Sequence, residues 1–243
     1  MTRIFDPPKI ARSKNSAFSE KQVVFRGCRA DSSHRPILVN MFSSISKLQP
    51  KNQPYREEVA KRHGRTLFCT CTIDRRTSYS DTKCTKTQKI HDGSLIRFDY
   101  GAMYDFYCSD LARTVMVGKR DPEIERQYAC IREGLEAAFA MMKPGVSAND
   151  VFQTALKATQ KRFPQFSRHH CGHGIGIMIN DIPGIAPGVD QVLEEGMVFC
   201  IETPFYCIDQ YGIQVEDMVA ITATGIRRLN HTSNDLIYIP ARS

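Results

Sequence analysis

The residues best placed to do chemistry are two pairs of carboxylates and one histidine. Asp99 and Asp110 lie evenly about the bend Met103–Phe106, and Glu202 and Glu216 lie evenly about Asp209. Residues equidistant from the turn of an antiparallel hairpin stand opposite one another with their side chains on one face. Each hairpin is therefore predicted to present two carboxylates together. Four carboxylates gathered in an interior repel one another and lose hydration, which drives them toward protonation unless cations neutralise them. Two divalent cations balance four negative charges. The run Cys171–Gly176 sets His173 among glycines, whose permissive backbone lets an imidazole approach a cluster built from other elements.

The elements that must hold these groups are readable from periodicity. Residues 95–100 and 112–117 are predicted strands, as are 197–202 and 212–221, with Asp209–Gly212 supplying the turn residues between the last two. Leu67–Ile73 is β-prone. Ile124, Tyr128, Ile131, Leu135, Phe139 and Met142 recur every three or four residues and Pro144–Gly145 ends the run, so 122–142 is predicted to be an amphipathic helix. Ser147 with Asp150 reads as the capped start of a second helix running to about Lys161. Residues 21–64 hold short apolar clusters that predict two or three short helices, and residues 1–20 read as a flexible lead. The order of helices, hairpin, helices, hairpin predicts an internal duplication within one α+β domain over 21–243, whose part 21–65 is the least regular.

Composition narrows the class. With 42% apolar and 24% charged residues in 243, the chain has the make-up of an ordinary globular protein able to bury a core. No stretch has the length of a signal peptide's apolar region or of a membrane span, so no membrane partner is expected. Nine cysteines, an odd number without a CxxC pair, suit a reducing compartment, and a cytoplasmic location is expected. Cys69 and Cys71 share one side of a strand and fall short of a zinc template. The net charge of +7 divides unevenly: residues 1–98 carry +12 and residues 99–243 carry −5. The basic part lacks a glycine-rich, zinc-finger or aromatic-interleaved motif that would read nucleic acid, so a solvated basic face is expected rather than a nucleic-acid partner.

Taken in order, Asp99-Tyr100-Gly101, Ser109-Asp110-Leu111-Ala112-Arg113-Thr114, Gly172-His173-Gly174, Glu195–Glu202 and Gln214-Val215-Glu216-Asp217 resemble the pita-bread metallopeptidases, the family of methionine aminopeptidase, aminopeptidase P, prolidase and creatinase. The resemblance covers roughly residues 90–240, and its ending is nearest the prolidase and creatinase branch, without that branch's N-terminal domain. It implies the pita-bread fold, a pseudo-two-fold repeat of helices and antiparallel strands around a metal centre. It also implies that Asp99, Asp110, His173, Glu202 and Glu216 hold two divalent ions, with Asp110 and Glu216 bridging. Ligation of that oxygen-rich kind, with one imidazole, favours Mn, Co or Fe, and the cysteines fall outside the implied ligand set. The implied reaction is hydrolysis of an amide C–N bond in a short peptide or small molecule, with Glu202 relaying the proton to the leaving nitrogen. A homodimer is left open.

Two positions depart from the family pattern. The family's histidine seven residues after the ligand histidine is Asn180 here, and a second, about seventeen residues before the first Asp ligand, falls at Asp81-Thr82. In the family these histidines bind the scissile carbonyl and steady the tetrahedral intermediate. Asn180 retains an amide donor but does not titrate; His169, His170 and Gln214 are further candidate donors. Three readings follow: a hydrolase of peptides or amides whose substrate tolerates the changes, a metalloenzyme of altered chemistry on a small molecule, or a catalytically weak binding module of the same fold.

Overall fold

A computed structural model of the chain describes residues 53–80 and 88–241. Thr82, the lead 1–20 and most of the predicted helical stretch 21–64 lie outside the described residues. One helix of that stretch lies within them, α1 (Gln53–Lys61), and it leads into β1 (Arg65–Ile73).

The first hairpin joins β2 (Leu95–Tyr104) to β4 (Leu111–Val117), with the short β3 (Tyr107–Cys108) at its tip. Asp105 and Phe106 both take positive φ, 45° and 69°, which makes the tip a two-residue turn of the type whose twist matches paired strands. The symmetry point therefore falls between Asp105 and Phe106, one residue later than the sequence spacing predicts. Asp99 pairs with Ala112, and Tyr100 with Leu111. Asp99 and Asp110 are thus diagonal neighbours rather than direct partners. A slip of two residues preserves the face, so both carboxylates still point the same way. Gly101 sits where this arrangement needs it: a Cβ there would stand 2.4 Å from both Ser109 O and the Phe68 ring.

Two helices follow. In α2 (Pro122–Met141), Asp121 caps the start by accepting from the backbone N–H groups of Glu123 and Ile124, and Pro122 occupies the first turn, where a missing N–H costs nothing. The Ser147 hydroxyl accepts from Asp150 N at the start of α3 (Ala148–Gln160). Both helices form as the periodicity predicts. Tyr128, Ile131 and Leu135 from α2 and Val151 and Phe152 from α3 pack with Phe199, Ile201 and Val219 of the sheet.

The second half runs through β5 (Gly172–Gly174), β6 (Asp181–Gly184) and β7 (Val198–Glu202) to β10 (Glu216–Ile221). Between the last two, β8 (Phe205–Cys207) and β9 (Tyr211–Ile213) form a separate two-stranded ribbon turning at Asp209, whose φ is 64°. The predicted strand 212–221 is thus broken. The break lies at Gln214, whose backbone leaves the ribbon to exchange hydrogen bonds with the Thr114 hydroxyl of β4, at 2.8 and 2.9 Å. The register survives the interruption, and Glu202 lies directly opposite Glu216 as predicted.

The main sheet has the order β1-β2-β4-β10-β7-β5-β6, with β11 (Ile226–Arg228) on β10 and β12 (Ile237–Ile239) parallel to β4. Each half contributes a hairpin and a flanking strand, and the halves meet at β4 and β10. This is the α+β pita-bread arrangement. In β7 and β10, Phe199, Ile201, Val219 and Ile221 join the helix-side core, and strand alternation sends Cys200, Glu202, Glu216 and Met218 to the other face. In β2, Ile96 and Phe98 pack with Val115 and Val117, leaving Arg97 and Asp99 on the opposite face. The charged faces of the two halves meet between these cores.

Candidate metal centre

Asp110, immediately before β4, His173 in β5, Cys200 in β7 and Glu216 at the head of β10 each offer one ligand atom, and these atoms lie within 4.8 Å of one another. His173 Nε2 is 3.9 Å from Asp110 Oδ2. The other ring nitrogen, Nδ1, lies 2.9 Å from Gly174 O; donating there leaves the Nε2 lone pair for the cluster. The Cys200 thiol donates to Glu216 Oε1 at 3.2 Å. Gly172 makes the approach of β5 possible, because at φ 145° its missing Cβ would stand 2.2 Å from Cys200 O.

A second group adjoins the first. Arg97, fully buried, places Nη1 3.5 Å from Asp99 Oδ2 and donates from the same nitrogen to Gln214 Oε1 at 2.8 Å. Its Nη2 is held by the carbonyls of Tyr79 and Ser80, at 2.7 and 3.1 Å. With its oxygen committed to Arg97, Gln214 turns its amide nitrogen to Glu202 Oε2 at 3.2 Å and Glu216 Oε2 at 3.4 Å. Glu202 Oε1 has Arg168 Nη2 at 3.8 Å and His170 Nδ1 at 3.5 Å. The Tyr206 ring lies near both guanidinium groups, 5.4 Å from Arg97 and 5.8 Å from Arg168.

Burial dominates the electrostatics. It pushes Asp110 up to about 8, with Asp99 and Glu202 adding to the rise. It raises Asp99 to about 6, against the pull of Arg97. Glu216, wholly enclosed, is lifted well above the usual carboxylate range by burial and then by Asp110, Glu202 and Asp99. His170 is lowered by burial, with Glu202 opposing. Among the described residues, Asp110 Oδ1 is buried without a hydrogen-bond partner. An orphaned carboxylate oxygen in an acidic, enclosed cluster with one free imidazole nitrogen fits a divalent cation, which supplies the missing partner and the missing charge together.

Of the residues singled out in the sequence, Asp110, His173 and Glu216 fall in the tight cluster, and Asp99 and Glu202 fall in the adjoining group. Asn180 is exposed, in the bend before β6. His169 is exposed as well and meets the edge of His170, ring centres 4.6 Å apart, so the imidazole beside Glu202 is that of His170. Arg97, Arg168 and Cys200 escaped the sequence reading. Strand parity was the available signal for two of them, since Arg97 shares a face with Asp99 and Cys200 with Glu202.

The model of metallopeptidase family M24 matches residues 55–223. An Xaa-Pro dipeptidase of Lactobacillus helveticus is 36% identical over 154 residues, which cover 63% of this chain and 42% of that protein. A recombinant prolidase from Thermococcus sibiricus has a similar crystal structure, with TM-score 0.74 at 28% identity, covering 84% of this chain and 58% of the other. The N-terminal domain of FACT complex subunit SPT16 from Cicer arietinum has TM-score 0.71 over 85% of this chain and 56% of the other, and at 19% identity this speaks for the fold alone. The matched segment thus spans less than two thirds of each of these relatives.

Proposed function

The chain belongs to metallopeptidase family M24, and from that premise we propose that it hydrolyses the amide C–N bond of a short peptide, as an Xaa-Pro dipeptidase does, with two divalent metal ions as cofactors. The observation that carries the proposal is the buried Asp110 Oδ1, without a partner among the described residues, inside a cluster of Asp, His, Cys and Glu drawn from four segments. Asp99, Asp110, His173, Glu202 and Glu216 would hold the ions, and the predominance of oxygen favours Mn, Co or Fe. Bound there, such ions supply Lewis acidity, polarising a carbonyl and acidifying a water.

The chain's own groups do the rest. Glu202 lies at the edge of the cluster and passes a proton toward the leaving nitrogen. Arg168 and His170, on its Oε1 side, hold the carboxylate in place. Asn180 and His169, both exposed, are candidate donors for a substrate carbonyl. Because Asn180 and Thr82 stand where the resemblance expects histidines, and Asn180 offers only an amide in place of an imidazole, turnover of Xaa-Pro dipeptides should be slow, a fully lost donor costing about 10²–10³. No described helix is long and apolar enough to cross a membrane, and a cytoplasmic site of action is part of this reading.

The test is hydrolysis of a panel of Xaa-Pro and other dipeptides by chelator-treated protein reloaded with Mn, Co or Fe. Metal-restored cleavage is expected. Protein carrying two ions per chain that leaves the whole panel intact would overturn the assignment.

A further inference from the structure

We propose that Cys200 is itself a metal ligand, so that one of the two ion positions is a mixed oxygen, nitrogen and sulfur site. The inference rests on the metal-centre reading above and adds to it a donor that the implied ligand set lacks. Cys200 is fully buried, and its Sγ belongs to the same mutually close set as Asp110, His173 and Glu216. An ion with bonds of about 2.3 Å to sulfur and about 2.1 Å to oxygen holds those two atoms about 3.1–3.6 Å apart for bond angles between octahedral and tetrahedral. The observed distance from Sγ to Glu216 Oε1 is 3.2 Å. An ion likewise holds an imidazole nitrogen and a carboxylate oxygen no more than about 4.2 Å apart, and His173 Nε2 and Asp110 Oδ2 are 3.9 Å apart. The second, independent observation is Asp110 itself, 7% exposed, with Oδ1 lacking a hydrogen-bond partner among the described residues.

On binding, the metal–sulfur bond replaces the S–H bond and the proton leaves to solvent; no electron is transferred. Sulfur is a soft donor, so this position should prefer Zn, Co or Fe to Mn. A cysteine that merely donates a hydrogen bond to Glu216 predicts no such preference, and serine would replace it without loss.

Cobalt(II) titration of the full chain separates the two roles. Wild-type protein is expected to develop an intense near-ultraviolet sulfur-to-cobalt charge-transfer band, which Cys200→Ser loses while elemental analysis still finds cobalt. The eight other cysteines remain in that variant and serve as the internal control. Bound cobalt without the band in wild-type protein, or a band that survives in Cys200→Ser, would overturn the sulfur ligand and leave the metal centre standing. Failure of the wild-type chain to bind cobalt at all would overturn both. Should Cys200→Ser not fold, X-ray absorption of zinc-loaded wild-type protein decides the matter. A sulfur shell at about 2.3 Å is expected, and a shell of oxygen and nitrogen alone refutes the proposal.

Discussion

Asp99 and Glu202 stand beside guanidinium groups, at 3.5 Å from Arg97 and 3.8 Å from Arg168, whereas Asp110 and Glu216 have a thiol, an imidazole and an amide for neighbours. The four carboxylates form one acidic interior, yet among the described residues only two of them are offset by the chain's own cations. The pKa directions follow this division: Asp99 rises to about 6, while Asp110 reaches about 8 and Glu216 goes well above the usual range. A carboxylate beside a built-in cation gains little from a metal. One left without a counter-charge must either keep its proton or bind an ion, so the free energy of metal binding concentrates at the Asp110 and Glu216 end.

The largest effect is therefore expected from Asp110→Asn, which keeps the shape and removes the charge. Metal-dependent cleavage should fall by more than about 10³ and metal content should drop, since a ligand and its charge are lost together. The fold should persist, because the amide mimics the neutral carboxyl that the metal-free protein favours. Unchanged metal content on elemental analysis would show that the two ends are equivalent after all.

Next comes the pH dependence of the metal-free protein. A carboxyl whose pKa is raised in the fold contributes stability that is fully present below its unfolded value near 4. That contribution is lost as pH climbs through the folded value, about 6 for Asp99 and about 8 for Asp110. The Tm of chelator-treated protein should accordingly fall between pH 5 and pH 8, by on the order of 10 °C. Metal-loaded protein, whose carboxylates are already ionised against cations, should show little of this slope. Equal slopes with and without metal, read by calorimetry, would remove the electrostatic basis of the comparison.

How much of this was legible in the sequence divides along similar lines. Asp99, Asp110, Glu202 and Glu216 stood out because carboxylates on apolar strands are conspicuous, and alternation fixed which face they share even where the turn at Asp105-Phe106 moved the register. Gly172 and Gly174 announced that His173 would approach closely. For Arg97 strand parity gives the face it shares with Asp99 but not what it holds. Its role depends on the carbonyls of Tyr79 and Ser80 and on Gln214, more than a hundred residues away, and no local pattern encodes that meeting. Cys200 falls outside the ligand set that the resemblance implies, and a cysteine in a strand is ordinarily a small apolar filler. The break at Gln214 depends on Thr114 of the other half, a tertiary contact that overrides a continuous β-prone run.

Arg97→Met should produce a smaller effect confined to the other end. It leaves Asp99 without its cation and the Gln214 oxygen without its donor, which should cost about 3 kcal/mol in urea unfolding of the metal-free protein. Metal affinity should be kept or improved, since a competing positive charge has gone. A collapse of metal binding in this variant would mean that Arg97 supports the ligands at the Asp110 end as well, and the division would fail.

Gln214→Met is the finest test, because Gln214 is the residue that touches both ends. Its amide reaches Glu202 and Glu216 at 3.2 and 3.4 Å, long for bonds to carboxylates, so its loss should cost only about 1–2 kcal/mol. That cost should be shared. Metal affinity, which reads the Glu216 end, and metal-free stability, which reads the Arg97 end through the lost acceptor for Nη1, should each fall modestly, affinity by about tenfold. If the two ends act as separate electrostatic units joined only by this amide, Gln214→Met combined with Arg97→Met should leave metal affinity close to that of Gln214→Met alone, because Arg97 reaches the Glu216 end only through the side chain already removed. Affinity measured by calorimetry in the single and double variants gives the answer. A strong further loss in the double variant would require a second route between Arg97 and Glu216, and the site would then behave as one unit rather than two.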